Sequence, residues 1–436
     1  MTSTSEYSRA QQHALDLAGF VSASPSSFHA VAEGVLRLQA AGFESLVETD
    51  AWKLGAGKSG AGKYYVQRDG ALIAFVIPES ADATTGFRIM GSHTDSPSFK
   101  LKPKPTTGAF GWLQAGVEVY GGPLLNSWLD RELVLAGRLV THDGTEVLTR
   151  TAPLLRFPQL AIHLDRGVND GLKLDPQRHM NPIWGTGRAE ESDILAVLAE
   201  EAGIDPLSIG GYDVVVCDAQ APSLFGKDSE FLASGRLDNL SSVHASLMAL
   251  LDVADAPGDR IPMIAAFDHE EIGSASRSGA AGPFLEEVVR RIGVALGGTF
   301  EDSYRAIADS ICLSSDAGHA IHPNYPERHD PANQPLAGKG PLLKINANQR
   351  YSTDAPGAAA WTQWCAQADA SYQEFVSNNA MPCGSTIGPI TATRIGIRTL
   401  DVGVPLLSMH SAREMAHVED LYALSRIAGA FFTHNA

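Results

Sequence analysis

Short apolar runs recur along this chain and alternate with helical patterns. The runs cover residues 71–77, 87–90, 212–217, 261–267, 310–313, 342–345 and 404–407, and turn residues follow them. Each has the length of a strand. Between them, Ile194, Leu195, Val197 and Leu198 stand at helical spacing, and so do Leu240, Val243, Leu247, Leu250 and Leu251. Residues 412–432 read as a closing helix, with Ser411 and Glu414 as a capping box that satisfies two orphan N–H groups. Strands alternating with helices predict an α/β core.

The middle of the chain breaks that rhythm. Between about residues 98 and 222 come Lys100-Leu-Lys-Pro-Lys-Pro105, Tyr120-Gly-Gly-Pro123 and an alternating apolar segment over 133–140. This reads as a β-rich insertion. A length of 436 residues predicts two or three domains. An apolar content of 44% can build a full core and excludes a disordered chain. The 33 Lys and Arg against 50 Asp and Glu leave a charge of −17, which repels phosphates and argues against a nucleic-acid partner. No run reaches the roughly 18 apolar residues of a membrane span, and the first residues lack a signal-peptide pattern. Cys217, Cys312, Cys365 and Cys383 are far apart with no C-x-x-C, so they read as free thiols in a reducing cytoplasm.

Gly57-Lys-Ser-Gly-Ala-Gly62-Lys63 fits the spacing of a phosphate-binding loop. Tyr64 stands where Ser or Thr would hold magnesium, and the following residues have strand character instead of opening a helix. The segment reads as a glycine-rich hairpin turn.

The chemistry lies at the ends of the apolar runs. There the chain places His93 and Asp95, then Glu270 and Glu271, then Asp316, then His410; Asp238 stands at the entrance of a helix. In an open α/β sheet, sites form beyond the carboxyl ends of the strands. One His or Asp in such a place is usually a hydrogen-bonded turn residue. A group of them at one edge is expensive to bury unless cations neutralise the carboxylates. Histidines with carboxylates suit zinc, and a shared carboxylate can bridge two metals. Adjacent residues beyond a strand point in different directions, so one of Glu270 and Glu271 can ligate metal while the other faces the attacking water. Asp95, two residues from His93, is placed to orient that imidazole or to form an Asx-turn before Pro97.

These residues sit in longer motifs: His93-Thr-Asp95-Ser-Pro97, Arg236-Leu-Asp238-Asn239, His269-Glu-Glu-Ile-Gly-Ser274, Ser315-Asp316-Ala-Gly-His319-Ala-Ile-His322, Asn348-Gln-Arg-Tyr351 and Cys383-Gly-Ser-Thr-Ile-Gly388. In this order they resemble the M18 metallo-aminopeptidases, the aspartyl aminopeptidase group. The resemblance implies a mixed-sheet α/β catalytic domain of the zinc-exopeptidase kind, interrupted by a smaller β-rich insert. Its boundaries would be 1–95 and 233–436 for the catalytic domain and 96–232 for an insert used in oligomerisation. It implies two divalent metals, zinc first, with manganese and cobalt compatible with the same donors. His93 and His410 would be terminal ligands, Asp238 the bridge, Glu271 and Asp316 the other ligands, Glu270 the general base and Asp95 the orienting residue. It implies a tetrahedral homododecamer in which His163 reaches a neighbouring active site, and a substrate pocket with His319, His322 and Lys344. A lysine in the apolar run 342–345 would meet a substrate anion or lie on a solvent face. Cys383 reads as structural, having no His and acid partners in view.

The expected activity is removal of the N-terminal residue of peptides, with Asp and Glu as candidates for that residue, by metal-activated water. Two rivals stand beside it. One is a deacylase or dipeptidase on a similar di-metal scaffold. The other is a catalytically silent assembly protein, against which the intact Glu270–Glu271 pair argues. At −17, long-range attraction of an acidic peptide is unavailable, so local groups such as Lys344 and His163 would have to supply it.

Overall fold

Every side chain of the strand Ala71–Ile77 is buried. Leu72, Ala74 and Val76 face one apolar cluster, and Ala71, Ile73, Phe75 and Ile77 face another. The strands Phe87–His93 and Ile261–Phe267 are likewise buried throughout. Period-two alternation with both faces covered makes a strand read as one continuous apolar run. The computed structural model describes residues 8–54 and 61–434. Residues 57–60 of the glycine-rich turn lie outside the described residues, and Gly62 already belongs to the strand Gly62–Arg68.

These strands form a nine-stranded sheet. Its order is Glu44–Ser45, Gly62–Arg68, Ala71–Ile77, Ile261–Phe267, Phe87–His93, Ile311–Ser315, Arg398–Gly403, Leu342–Lys344 and Gln373–Phe375. The central four, from Ile261–Phe267 to Arg398–Gly403, run parallel, whereas Ala71–Ile77 and Leu342–Lys344 flank them antiparallel. The helices Arg9–Ala23, Ser27–Ala40, Leu237–Val253, Ala355–Gln367 and Val418–Thr433 contribute to one covering cluster. Phe284–Ala295, Phe300–Ala308 and Ile387–Ile395 contribute to the other. The protein is therefore mixed α/β, with helices on both faces of its main sheet. Among the described residues no helix is long and apolar enough to cross a membrane.

A second, antiparallel sheet of six strands is built between Ser98 and Asp218. Its strands are Glu146–Arg150, Leu133–Thr141, Ile209–Asp218, Ser98–Ala109, Trp112–Tyr120 and Ile183–Thr186, in that order. Phe99, Trp128, Phe157, Leu135, Val214 and Val216 give it a core of its own, joined by Ile194 and Leu198 of the helix Ile194–Ala202.

A third sheet corrects the expected chain ending. The order Ser223–Phe225, Phe231–Ser234, Glu414–His417, Pro405–Leu407, Gly318–His319 places residues 414–417 in a strand, not in the closing helix. The helix begins at Val418, and His417 caps it by accepting from the Glu419 N–H. Residues 414–417 alternate between buried and half-buried because they lie between two partner strands. Cross-strand pairing there outweighed the local capping signal, and Glu414 turns inward.

Leu424, fully buried in the last helix, packs in the cluster that includes Leu240 and Leu247. Leu424→Ala removes that contact and leaves a cavity, costing about 2–5 kcal/mol. The expected outcome is a clearly lower Tm by calorimetry.

Candidate metal centre

The parallel centre of the main sheet ends on one edge. His93 is the last residue of its strand, Glu270 and Glu271 lie in a short turn just past Ile261–Phe267, and Asp316 follows Ile311–Ser315. His410 arrives differently. It stands in the turn between Pro405–Leu407 and Glu414–His417 of the third sheet. Asp238 enters at the start of the helix Leu237–Val253, where the Asp238–Asn239 peptide is cis. Arg236, His269, Ser408 and His410 all hold positive φ around these turns, a conformation non-glycine residues adopt sparingly. Such strained positions cluster at functional sites.

The donor atoms converge. Asp238 directs Oδ1 at His93 Nε2 and Oδ2 at His410 Nε2, each at 3.4 Å. His410 Nε2 is 3.5 Å from Glu271 Oε2, and His93 Nε2 is 4.0 Å from Glu270 Oε2. His93, Asp238 and Glu271 offer atoms all within 4.8 Å of one another, and so do His93, Glu270 and Asp316. Tetrahedral zinc with bonds near 2.0–2.1 Å holds neighbouring donors about 3.3 Å apart. The separations around Asp238 match that figure. Asp238 Oδ1 and Glu271 Oε1 are buried and accept no hydrogen bond. Buried carboxylate oxygens left in this way fit a cation.

The electrostatics agree. Burial pushes the Glu270 carboxyl up to about 7, with Asp316, Asp95 and Asp238 adding to the rise against His93. Burial, joined by the Asp238 charge, holds Glu271 well above its ordinary range. Burial also raises Asp316, opposed by Lys344. Asp238 feels the same burial, but its contacts with His410 and His93 outweigh it and hold the carboxyl low. Four acids so close resist ionising together, and divalent cations would relieve that repulsion.

A hydrogen-bonded layer surrounds the donors. Asp95 accepts from the Glu270 and Glu271 N–H groups at 3.1 Å, and its Oδ1 is 3.4 Å from His93 Nδ1. Its backbone carbonyl lies 3.0 Å from the same His93 nitrogen. Tyr120 donates to Asp95 Oδ2 at 2.8 Å. Glu414, fully enclosed, accepts from the Asp238 N–H at 3.1 Å and from the His410 N–H at 2.8 Å. Neither Tyr120 nor Glu414 was singled out for the site from the sequence. The Tyr120 contact spans 25 residues and crosses between two sheets, and no local pattern announces it.

A cavity of about 590 Å³ opens over this cluster, lined by His93, Asp238, Glu270, Glu271, Asp316 and His410 and also by His319, Lys344 and Tyr351. Lys344 is buried, not on a solvent face. Its Nζ donates to the Ala317 carbonyl at 2.7 Å and stands 3.5 Å from Asp316 Oδ1. His322 lines an adjoining cavity with Arg328 and His329, and the two cavities share His319, Tyr351, Gly384 and Met409. Cys383 packs against Leu342, Tyr351 and Phe375, and all four cysteines are free. His163 is exposed on the 158–174 stretch and lines neither cavity.

Fold and site together define a metallohydrolase with a carboxylate-rich centre on the edge of a mixed sheet. The family model of the aminopeptidase I zinc metalloproteases (M18) matches residues 20–432. A Streptomyces avermitilis protein named as an M18 family aminopeptidase 2 is 54% identical over 424 residues, covering 96% of this chain and 97% of its own. A Pseudomonas paraeruginosa protein of the same name is 42% identical, covering 95% and 97%. Among solved structures, a chain in the cryo-EM structure of the Ape4 and Nbr1 complex superposes with a TM-score of 0.93 at 37% identity, covering 97% of this chain and 86% of that one. The S. cerevisiae mApe1 dodecamer matches with a TM-score of 0.84 at 29% identity, covering 97% and 96%. The chain belongs to the M18 family of zinc metallo-aminopeptidases, hydrolases of peptide bonds.

Asp238→Asn replaces the carboxylate that faces both histidines. The purified variant should retain little metal by elemental analysis; a wild-type metal content would remove Asp238 from the centre.

Proposed function

We propose that the protein is a di-metal aminopeptidase in which Asp238 bridges the two ions. The observation that carries this is the aim of its two oxygens at two different histidines, each at 3.4 Å. His93 and Asp316 would complete one site, and His410 and Glu271 the other. Bound there, the ions would lower the pKa of a water and polarise the scissile carbonyl.

The chain's own groups supply the rest. Glu270 stands at the cluster's edge, farther from His93 than Asp238 is. It takes the proton from the attacking water and returns it to the leaving amine. Asp95 holds His93 by its ring nitrogen and holds the Glu270–Glu271 turn by two backbone N–H groups. The surrounding carboxylates attract the free α-amino group of a peptide, which favours cleavage at the N-terminus. The substrate class proposed for it is a peptide with an acidic N-terminal residue. His319 and Lys344 line the metal cavity, and His322, Arg328 and His329 line the adjoining one, whose wall contains no Asp or Glu among the described residues.

Residues 96–232 would form the insert domain between catalytic segments 1–95 and 233–436. The M18 neighbour described as a dodecamer supports assembly of this chain into a homo-oligomer, with twelve subunits in tetrahedral arrangement as the specific form. The exposed His163 would then reach a neighbouring subunit's cavity.

Glu270→Gln keeps the shape of the side chain and removes its basicity. It should bind metal as the wild type does and lose roughly 10²–10⁴-fold in kcat. Near-normal turnover would reassign the base. A panel of aminoacyl arylamides covering all N-terminal residues, run beside N-acetylated analogues, tests the substrate. Preference for free Asp or Glu is expected. A preference for blocked amines would point to a deacylase instead.

A further inference from the structure

The insert sheet and the metal centre meet at one short segment, residues 120–122. The chain leaves the main sheet at His93, passes Asp95 and enters the insert at Ser98. The hairpin of Ser98–Ala109 with Trp112–Tyr120 then brings Tyr120 back opposite Ser98. That register sets the phenol beside the carboxylate three residues upstream of Ser98. Two residues beyond Tyr120, the Gly122 carbonyl lies 3.0 Å from His410 Nδ1. The Leu124 N–H donates to the His410 carbonyl at 2.9 Å, closing the contact from the other side. Between them, Gly121 holds φ +68, and a Cβ there would sit 3.1 Å from Glu271 Cβ. Glycine takes that positive φ without strain and leaves Glu271 in place, whereas a Cβ would press on it.

Each end of the segment therefore reaches a different histidine. At one end Tyr120 pins Asp95 Oδ2, and Asp95 faces His93 Nδ1. At the other end the Gly122 carbonyl accepts from His410 Nδ1, which leaves Nε2 as the ring nitrogen that faces Asp238 and Glu271. A partner on one ring nitrogen sets the tautomer and the aim of the other. Tyr120 is well suited to the task. Burial, reinforced by the nearby Asp95 charge, holds its phenol protonated, so it acts as a donor. Its ring belongs to the six-stranded sheet, whereas Asp95 follows the main-sheet strand that ends at His93.

We propose that residues 120–122 are a positioning element for the reaction, in which Tyr120, through Asp95, and the Gly122 carbonyl aim His93 and His410 at the metal centre. This rests on the assignment of those histidines as ligands. Tyr120 does not line the cavity over the centre, and Gly122, which does, acts through His410. The consequence is that the insert's docking, and not the main sheet alone, sets the geometry of the centre.

Tyr120→Phe deletes the hydroxyl and keeps the ring. Metal affinity, measured by competition with a chelating dye in the absence of substrate, should fall roughly 10–100-fold. With metal in excess, kcat should fall while KM for a peptide arylamide stays near the wild-type value. Gly121→Ala, which drives a Cβ toward Glu271, should weaken metal in the same assay and decides the matter if Tyr120→Phe does not fold. Asp238→Asn serves as the reference. If it loses metal while folded Tyr120→Phe binds with wild-type affinity and turns over normally, the positioning role is overturned. If Asp238→Asn also keeps its metal, the ligand assignment itself has failed.

Discussion

The approach of one buried carboxylate, Asp238, to two imidazoles organises everything around it. Its oxygens face His93 and His410, which come from different sheets, while its own backbone sits at the head of a helix. Bringing these three together forces Glu270, Glu271 and Asp316 into the same small volume. Such a concentration of buried acid is unfavourable on its own, as the raised carboxyl pKa values show. The arrangement persists because the surrounding backbone holds it. Glu414 grips the Asp238 and His410 amides, and Asp95 grips those of Glu270 and Glu271. The scaffold carries the strain, and cations are the chemistry that relieves it.

The main sheet makes this possible by geometry. Parallel strands present their carboxyl ends on one edge, so residues far apart in sequence arrive side by side. Apolar clusters on both faces hold that edge rigid, which a centre with sub-ångström tolerance requires. The six-stranded sheet has a separate core, yet it leans its 120–124 segment onto the centre. Both sheets thus reach the site, and hydrogen bonds from the 120–124 segment to Asp95 and His410 run across their junction beside the Arg138–Asp69 ion pair.

Much of this was legible in the chain. The fully buried strands stood out as apolar runs, and the polar residues that follow the runs 87–90, 261–267 and 310–313 come together at one sheet edge. Other features were not legible, for identifiable reasons. Ser411 and Glu414 have the spacing of a capping box, and only pairing with Phe231–Ser234 and Pro405–Leu407 reveals Glu414 as an inward strand residue. Lys344 alternates in a way that allows either face, and its burial against Asp316 depends on the neighbouring strands. Tyr120 sat in a Pro- and Gly-rich stretch of the β-rich middle, with nothing local to connect it to Asp95.

By itself, then, the sequence determined the α/β class, the β-rich middle and the kinds of donor gathered at the sheet edge, because periodicity and residue type are local properties. Spacing left open which carboxylate stands between the histidines, and only the family resemblance pointed to Asp238; the tertiary structure alone decided that His410 comes from a turn of the third sheet and that Glu414 and Tyr120 steady the centre. Those facts depend on strand order and register, which bring together residues as much as 288 positions apart, and no local pattern encodes a contact of that range.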